Sequence, residues 1–349
     1  MVLLFYELIM RRRTYLILLL VTIATTFIKA QDNTKVDYYR VTENQQHTFP
    51  ETIPPGNYSG ITWLGGNKYA VVSDKSTTDG FFIFNIDVDS ITGEITAAKS
   101  NQFLSSGQVN RDGEGIAYNP HSNTIFISGE ADNNIKEYDM SGHLTGRVIS
   151  PTPLYRHLPG NLGLEALSYN AATHRLWTCN ESDSVFIQSY DDSLKMGDTY
   201  FYQLDEPIAN KSKAQYYAHG IGCITALDDG SLLLLEREFY VPKKKIGAFV
   251  NCKLFHIFPQ QNKALTEEPQ AKKLLLQWKT SLNILRRDIA NYEGMCLGPT
   301  LKDGSRVLLL VADSQNQYRG VLKDWMKSLT LALDARNGHS HNDVQDKAQ

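Results

Sequence analysis

Residues 111–130 read Arg111-Asp-Gly-Glu-Gly-Ile-Ala-Tyr-Asn-Pro-His-Ser-Asn-Thr-Ile-Phe-Ile-Ser-Gly-Glu130, two short apolar runs with a glutamate at each open end. The runs have the composition of β-strands, and Asn119-Pro-His-Ser-Asn123 between them is rich in turn-forming residues. In an antiparallel hairpin, the start of the first strand lies beside the end of the second. We therefore expect Glu114 and Glu130 on the same edge of a sheet, away from the turn.

The same kind of hairpin recurs along the chain. Each repeat contains about four short strand-like runs, and a period of this kind is typical of a β-propeller. Five repeats are legible, so the sequence predicts an all-β protein of five or six blades, each a four-stranded antiparallel sheet. Two stacked sandwich domains are the alternative, but they give no reason for one hairpin to occur five times. Aligned on their first strands, the repeats begin at Ser59, Glu114, Glu165, Cys223 and Glu293, at intervals of 55, 51, 58 and 70 residues.

Two features bear on how many blades the ring has and how it closes. The last interval, 70 residues long, has room for a sixth blade but contains no further hairpin motif. Residues Val36–Phe49 alternate weakly between apolar and polar side chains, ahead of a loop. We expect this segment to supply the last strand of the fifth blade.

Composition excludes some functions. The chain has 349 residues, of which 42% are hydrophobic, enough for a packed core. Its formal charge of −3 and the lack of an aromatic and basic stripe exclude nucleic acid as a partner. The four cysteines, at positions 179, 223, 252 and 296, match no metal motif by spacing, and both two disulfides and buried free thiols are compatible with the sequence.

The N-terminus has the pattern of a signal peptide. Arg11-Arg-Arg13 is basic, Tyr15–Ile28 is apolar, and Ala30 precedes an acceptable cleavage point. Translation from Met10 would fit this pattern better, and an uncleaved membrane anchor is the alternative. The expected organisation is a signal peptide over 1–30, one propeller domain over 31–335 and a disordered polar tail over 336–349. We expect an exported monomer, periplasmic or extracellular, without membrane contact beyond the signal peptide.

A propeller places the first strand of every blade around a central channel, so all open hairpin ends face one mouth. Eight carboxylates are expected there. Carboxylates a few ångströms apart repel one another. A hard cation such as Ca²⁺, shared protons or basic partners can relieve this repulsion. Candidates for the basic partners are Arg111, Lys75, Arg237 and Lys136. A simpler role for each acid is to accept hydrogen bonds from the next blade and tie the ring together. The eight are Glu114, Glu165 and Glu293 from first strands, and Asp74, Glu130, Glu181, Glu236 and Asp313 from second strands.

These motifs resemble those of the phytase-like family, described as the "esterase-like activity of phytase" domain. The resemblance covers Ser59 to Leu333 and implies an exported propeller whose acids, the same eight residues, carry phosphodiesterase or esterase chemistry. The sequence departs from the family pattern at Cys223, where a glutamate is usual, and at Ser314-Gln-Asn-Gln317, which replaces an Asp-Asn-Asn-Phe type element. The motifs are Asp112-Gly-Glu-Gly-Ile-Ala117, Gly163-Leu-Glu-Ala-Leu167, Leu235-Glu-Arg237, Asn291-Tyr-Glu-Gly-Met295 and Val311-Ala-Asp313.

The sequence contains no Gly-x-Ser-x-Gly elbow, His-Glu-x-x-His helix or phosphate-binding loop. A hydrolase of small-molecule esters or phosphoesters is therefore expected to use water activated by Ca²⁺, with a carboxylate as general base. A non-catalytic propeller that binds a ligand or partner at the same mouth is the alternative. The expected catalytic acids are Glu114, Glu130, Glu165, Glu181 and Glu293, the metal ligands Asp74, Glu114, Glu130, Glu181, Glu236 and Asp313, and the substrate contacts Arg111, Arg237 and His219.

Overall fold

The structure is a computed structural model that describes residues 39–150, 155, 164–181, 184–244, 246–259 and 268–333. The predicted signal peptide and the predicted polar tail lie outside these residues. Twenty β-strands and two short 3₁₀ turns, Lys211–Lys213 and Tyr318–Gly320, make up the regular structure that is described. No helix among the described residues is long and apolar enough to span a membrane.

The strands form five four-stranded sheets, and each sheet is one blade. Neighbouring strands within a blade are antiparallel, and in blades 1 to 4 they follow chain order. Blade 1 contains β2 (Tyr58–Gly65), β3 (Lys68–Ser73), β4 (Thr78–Val88) and β5 (Ile95–Val109); blade 2 contains β6 (Gly113–Asn119), β7 (Thr124–Gly129), β8 (Asn134–Asp139) and β9 (Leu144–Ile149); blade 3 contains β10 (Leu164–Asn170), β11 (Arg175–Asn180), β12 (Val185–Tyr190) and β13 (Met196–Tyr202); blade 4 contains β14 (Ala214–Ala226), β15 (Leu232–Pro242), β16 (Ala248–Ile257) and β17 (Lys272–Leu282); blade 5 contains β18 (Asn291–Thr300), β19 (Arg306–Asp313), β20 (Met326–Leu333) and β1 (Tyr39–His47).

The inner strands contact one another in a closed ring, from β2 through β6, β10, β14 and β18 back to β2. The protein is therefore a five-bladed β-propeller, as the five hairpin repeats predict. The long final interval of the repeat does not hold a sixth blade. Blade 4 instead has long strands of 13, 11, 10 and 11 residues, which take up most of the extra length.

The ring closes through the N-terminal strand β1. It pairs antiparallel with β20, with Tyr39 opposite Leu333 and His47 opposite Met326. The strand predicted between residues 36 and 49 thus completes blade 5. Its hydrogen bonds join the beginning of the described chain to its end, so the last blade cannot leave the ring without breaking a sheet.

The hydrophobic core lies between neighbouring blades. One cluster, for example, packs Ile61 and Val71 of blade 1 against Leu309 and Val311 of blade 5. All four cysteines are buried in this core as free thiols, which decides between the two cysteine states that the sequence left open. Burial raises the pKa of each of these thiols, so they behave as small apolar side chains.

Candidate functional site

A β-bulge near the start of each inner strand builds the first tier of the site. In four blades, one residue of the inner strand has no partner on the second strand. In blade 2, Glu114 and Gly115 of the inner strand face a single residue of the second strand. Each bulge therefore adds one extra residue to the inner strand. Bulges re-aim side chains, and here they turn the extra residue toward the mouth of the channel. The bulged residues are Ser59, Glu114, Glu165, Gly222 and Glu293.

The bulges correct the sequence alignment in blade 4. Cys223 was expected at the position of the glutamates, but it pairs with Leu235 and packs in the core. Its neighbour Gly222 is the bulged residue. A sequence signal for this offset exists, because every repeat has a small residue after the bulge position. These small residues are Gly60, Gly115, Ala166, Cys223 and Gly294.

The second tier comes from the second strand of each blade, at the residue after the one that pairs with the residue before the bulge. Four blades place an acid there, and blade 4 places Arg237. Glu236 stands one position earlier, opposite Ile221, which corresponds to Ser73, Gly129, Asn180 and Ala312 in the other blades. The expectation that Glu236 lies among the mouth acids is therefore wrong. The second tier consists of Asp74, Glu130, Glu181, Arg237 and Asp313.

The three glutamates of the first tier and all five residues of the second tier line one cavity of about 910 Å³ at the mouth, which we call the mouth cavity. It contains seven of the eight predicted carboxylates. Among the three predicted substrate contacts, it contains Arg237 and His219. The seven acids are Asp74, Glu114, Glu130, Glu165, Glu181, Glu293 and Asp313.

Arg237 is the central cation of the mouth cavity. Its Nη2 lies 3.1 Å from Glu181 Oε1 and 2.9 Å from Glu293 Oε1, and its Nη1 donates to Asn291 Oδ1 at 2.8 Å. The side chain is only 6% exposed. Gly222 leaves the space for it. Blade 4 thus has one guanidinium in place of the two acids, and it bridges blades 3 and 5. Arg237 was predicted as a basic partner of the mouth acids, but its place in the second tier was not predicted.

A methyl group on Gly222 would lie 2.8 Å from the Tyr292 carbonyl oxygen and 3.1 Å from Arg237 Cδ. We expect Gly222→Ala to lower the free energy of unfolding by about 1–3 kcal/mol, because the backbone and the arginine must both move. Urea unfolding measures the loss. Gly298→Ala is the control, since its methyl would lie no closer than 3.2 Å to any neighbouring atom, here the Tyr69 hydroxyl oxygen. Equal stability of the two variants would contradict the close packing around Arg237.

Burial and mutual repulsion perturb the acids of the first tier. Glu114 and Glu165 are each 8% exposed, and burial followed by the neighbouring carboxylates raises the pKa of both well above the ordinary value. Burial also raises the pKa of Glu293 to about 8, although Arg237 opposes this shift. The cavity therefore relieves its charge partly by keeping protons.

Asp74 and Asp313 stand side by side in the second tier, and burial raises the pKa of each. Asp74 Oδ2 lies 3.1 Å from Lys75 Nζ. Asp313 accepts hydrogen bonds from the backbone and the side-chain amide of Gln315. The segment 314–317, which departs from the family pattern, thus covers one of the acids.

Arg111 does not reach the mouth cavity. It is buried in blade 2, where Nη1 lies 2.8 Å from Asp132 Oδ1 and Nη2 donates to the Tyr138 hydroxyl at 2.9 Å. Asp132 also pairs with Lys136 at 2.9 Å. The prediction that Arg111 contacts substrate is therefore wrong. Its guanidinium stabilises the packing of the blade. The sequence does not distinguish such a buried arginine from one at the channel.

His219 lines the mouth cavity from β14, and burial lowers the pKa of its imidazole. The neutral ring can accept a proton, but most of the polar wall around it is acidic. Two tyrosines of the same strand, Tyr216 and Tyr217, and residues of the 203–211 segment complete this side of the cavity. None of these neighbours was predicted from the sequence.

The mouth cavity is the candidate site for a metal ion. Among the described residues, no three His, Cys, Asp or Glu side chains are already arranged as a ligand cluster. The seven carboxyl groups offer oxygen donors, the type that Ca²⁺ prefers, and Asp74 Oδ1 is buried without a hydrogen-bond partner. The donor chemistry fits a hard cation, and the side chains would have to turn toward it.

Solved structures with similar backbones share little sequence with this chain. They include the hydrazine synthase of Kuenenia stuttgartiensis (10% identity, 79% of this chain and 81% of that chain, TM-score 0.38) and a streptogramin B lyase (13% identity, 84% and 98%, TM-score 0.38). A third is the nidogen/laminin complex (12% identity, 85% and 99%, TM-score 0.39). No curated protein matches the chain by sequence. The model of the phytase-like family, described as esterase-like activity of phytase, matches residues 53–315, and the protein belongs to this family.

Proposed function

We propose that the protein is an exported hydrolase of small-molecule phosphoesters or carboxylic esters that acts at the mouth cavity with a divalent cation. One observation carries the proposal: seven carboxylates and one arginine, drawn from all five blades, converge on a single cavity. Family membership supports the reaction class. Strongly shifted acids in a cavity are typical of catalytic sites, because general acids need a proton at working pH.

The acids divide into three roles. Glu114 and Glu165, whose pKa values are raised, are proposed to donate a proton to the leaving group. Glu130 is proposed as the general base that takes a proton from the attacking water. Glu181 and Glu293 hold the guanidinium of Arg237, so they orient this cation toward a negatively charged ester oxygen.

A divalent cation, Ca²⁺ in our proposal, would supply charge neutralisation and polarise the oxygen of the ester or phosphoryl group. Asp74 and Asp313 are the proposed ligands, because Glu114 and Glu130 are assigned to proton transfer. Glu181 was also expected among them, but it is paired with Arg237 in the structure. A phosphoester is anionic, and seven carboxylates repel it unless a cation intervenes. Phosphoester hydrolysis and cation binding are therefore expected to occur together.

The test measures hydrolysis of bis(p-nitrophenyl) phosphate, p-nitrophenyl phosphate and p-nitrophenyl acetate, in Ca²⁺ and in EDTA. We expect Glu114→Gln to lower kcat about 100-fold on whichever ester is hydrolysed, the lower range for loss of a general acid. Glu137→Gln is the matched control, because Glu137 is a buried acid in the third strand of the same blade. Activity that survives both chelation and Glu114→Gln would refute the proposal.

A second function, a non-catalytic propeller that binds a cation or partner, is favoured by one contact. Arg237 joins Glu181 of blade 3 to Asn291 and Glu293 of blade 5, so part of the acid ring holds the blades together. A rise in thermal stability with Ca²⁺, without turnover of any of the three esters, would support this function over hydrolysis.

A further inference from the structure

One wall of the mouth cavity is a connecting segment rather than a strand. Residues 203–213 link β13 of blade 3 to β14 of blade 4 and end in the 3₁₀ turn Lys211–Lys213. We call them the wall segment. Six of its residues line the cavity: Gln203, Leu204, Asp205, Glu206, Pro207 and Lys211.

Glu238 holds the middle of the wall segment. Its Oε2 accepts from the backbone N–H of Ile208 at 2.9 Å, and its Oε1 accepts from that of Ala209 at 2.8 Å. The Tyr217 hydroxyl donates to the same Oε1 at 3.2 Å. Glu238 is 2% exposed, so water competes little for these bonds. A carboxylate that receives two adjacent amides fixes the backbone direction there.

Glu236 holds the beginning of the wall segment. Its Oε2 accepts from the backbone N–H of Asp205 at 3.1 Å, and its Oε1 lies 2.6 Å from Lys272 Nζ. The carboxylate of Asp205 is in turn 2.8 Å from both Lys253 Nζ and Lys272 Nζ. The segment is thus fixed through its main chain and through a side chain, both to blade 4.

The alternation of side chains along β15 explains how one strand contacts both the mouth cavity and the wall segment. Successive residues of a strand point to opposite faces. Arg237 points into the mouth cavity, and its neighbours Glu236 and Glu238 point to the wall segment. The sequence Glu-Arg-Glu therefore couples Arg237, the one arginine among the described residues of the cavity lining, to the placement of the adjacent wall.

We propose that Glu236 and Glu238 are positioning residues that fix the wall segment, and that the fixed wall limits which molecules reach the mouth acids. The inference does not depend on hydrolysis, because it concerns access to the carboxylates. It also gives Glu236 a role that differs from metal binding. Loss of an anchor is expected to free the segment while leaving the acid ring in place.

The test compares Glu238→Ala, Glu238→Gln and the control Glu137→Ala by two measurements. Amide hydrogen exchange reports on the wall segment. We expect the Ile208 and Ala209 amides to exchange at least about 10-fold faster in Glu238→Ala, because both lose a hydrogen bond to a charged acceptor. Labelling of carboxyl groups with a carbodiimide and glycine ethyl ester reports on access, and labelling of Glu181 and Glu293 is expected to rise several-fold.

Glu238→Gln keeps one acceptor oxygen and is expected to restore most of the protection, whereas Glu137→Ala changes neither reading at the mouth. If Glu238→Ala does not fold, Ile208→Pro is used instead, because it removes one of the two N–H donors to Glu238 at an exposed position. Hydrogen exchange of the Ala209 amide is then measured. Unchanged exchange would overturn the anchoring role. Faster exchange without greater labelling of the mouth acids would overturn the role in access.

Discussion

Replacement of Arg237 by methionine is expected to lower the free energy of unfolding by about 3–5 kcal/mol at pH 8, the usual cost of removing one partner from a buried ion pair. The guanidinium is 6% exposed and contacts Glu181 and Glu293 at 3.1 and 2.9 Å. Without it, two carboxylates stay buried beside the other mouth acids with no guanidinium to balance them. Methionine fills much of the volume, so the loss reports mainly on charge.

The pH dependence of Arg237→Met distinguishes this cause from poor packing. Arg237 lowers the pKa of Glu293, so without the cation the folded-state pKa of Glu293 rises further above its unfolded value. The folded state then holds more protons than the unfolded state, so the variant loses stability as pH rises and regains it as pH falls toward the ordinary glutamate pKa.

Urea unfolding of the parent and Arg237→Met between pH 5 and 8 measures the difference. Arg147→Met is the control, because Arg147 pairs with Glu137 at 2.9 Å but is 41% exposed and lies away from the mouth. A destabilisation of Arg237→Met that is equal at both ends of this pH range would contradict the electrostatic explanation.

The second large effect is expected in the parent protein itself. Its free energy of unfolding should fall by about 2–5 kcal/mol between pH 6.5 and 8.5 in EDTA, since each group with a raised pKa costs up to about 1.4 kcal/mol per pH unit. Glu293 has a pKa of about 8, against an ordinary value of 4.5, and the pKa values of Glu114 and Glu165 are also raised. Their contribution is complete below the unfolded pKa and is lost as pH rises through the folded pKa.

Other titrating groups limit the pH range of this prediction. Below the range, histidines change stability in the opposite direction, and above it cysteines and tyrosines begin to titrate. Burial lowers the pKa of His219 and His256, so these side chains cost stability as pH falls below their ordinary value of 6.5. The buried cysteines and tyrosines, whose pKa values are raised from 9.0 and 10.0, act only at higher pH. Between these limits the mouth acids dominate.

Glu114→Gln provides the matched comparison, because glutamine resembles the protonated acid. We expect this variant to lose less stability than the parent over the same window, and Ca²⁺ to stabilise the parent more at pH 8.5 than at 6.5. Chemical unfolding at several pH values measures both slopes. A parent whose stability rises with pH in EDTA, or a variant with an unchanged slope, would contradict the proton-sharing description of the cavity.

The hairpin at residues 111–130 shows how far local pattern reaches. Its apolar runs, its turn and its glutamates predicted β6, β7 and the convergence of Glu114 and Glu130 on the mouth cavity. Strand alternation and turn chemistry are properties of neighbouring residues, so they can be read from the chain. Repetition of the pattern then predicted the propeller, because only a ring uses one hairpin many times.

Blade 4 shows where local pattern fails. Cys223 and Glu236 were aligned with the mouth residues of the other repeats, but Gly222 is the bulged residue of blade 4 and Arg237 lines the mouth cavity. A misalignment by one residue assigns every side chain to the opposite face, and the sequence marks the correct register only through one small residue in each repeat. Arg111 was misplaced for a similar reason, since a buried arginine and a channel arginine have the same sequence surroundings.

By itself, the sequence determined the strand content, the five-fold repeat, the closing N-terminal strand and the acidic character of one channel mouth, because these follow from periodicity and from the position of residues within a hairpin. Only the tertiary structure decided which acids meet, that Arg237 stands where a fifth acid would be, and that Glu236 and Glu238 hold the wall segment. Those outcomes depend on bulges, on register and on contacts between blades that lie more than 50 residues apart in the chain, such as Arg237 with Glu181 and Asn291. Burial then sets the charge of the mouth, because the cost of an ionised carboxylate depends on what surrounds it in space.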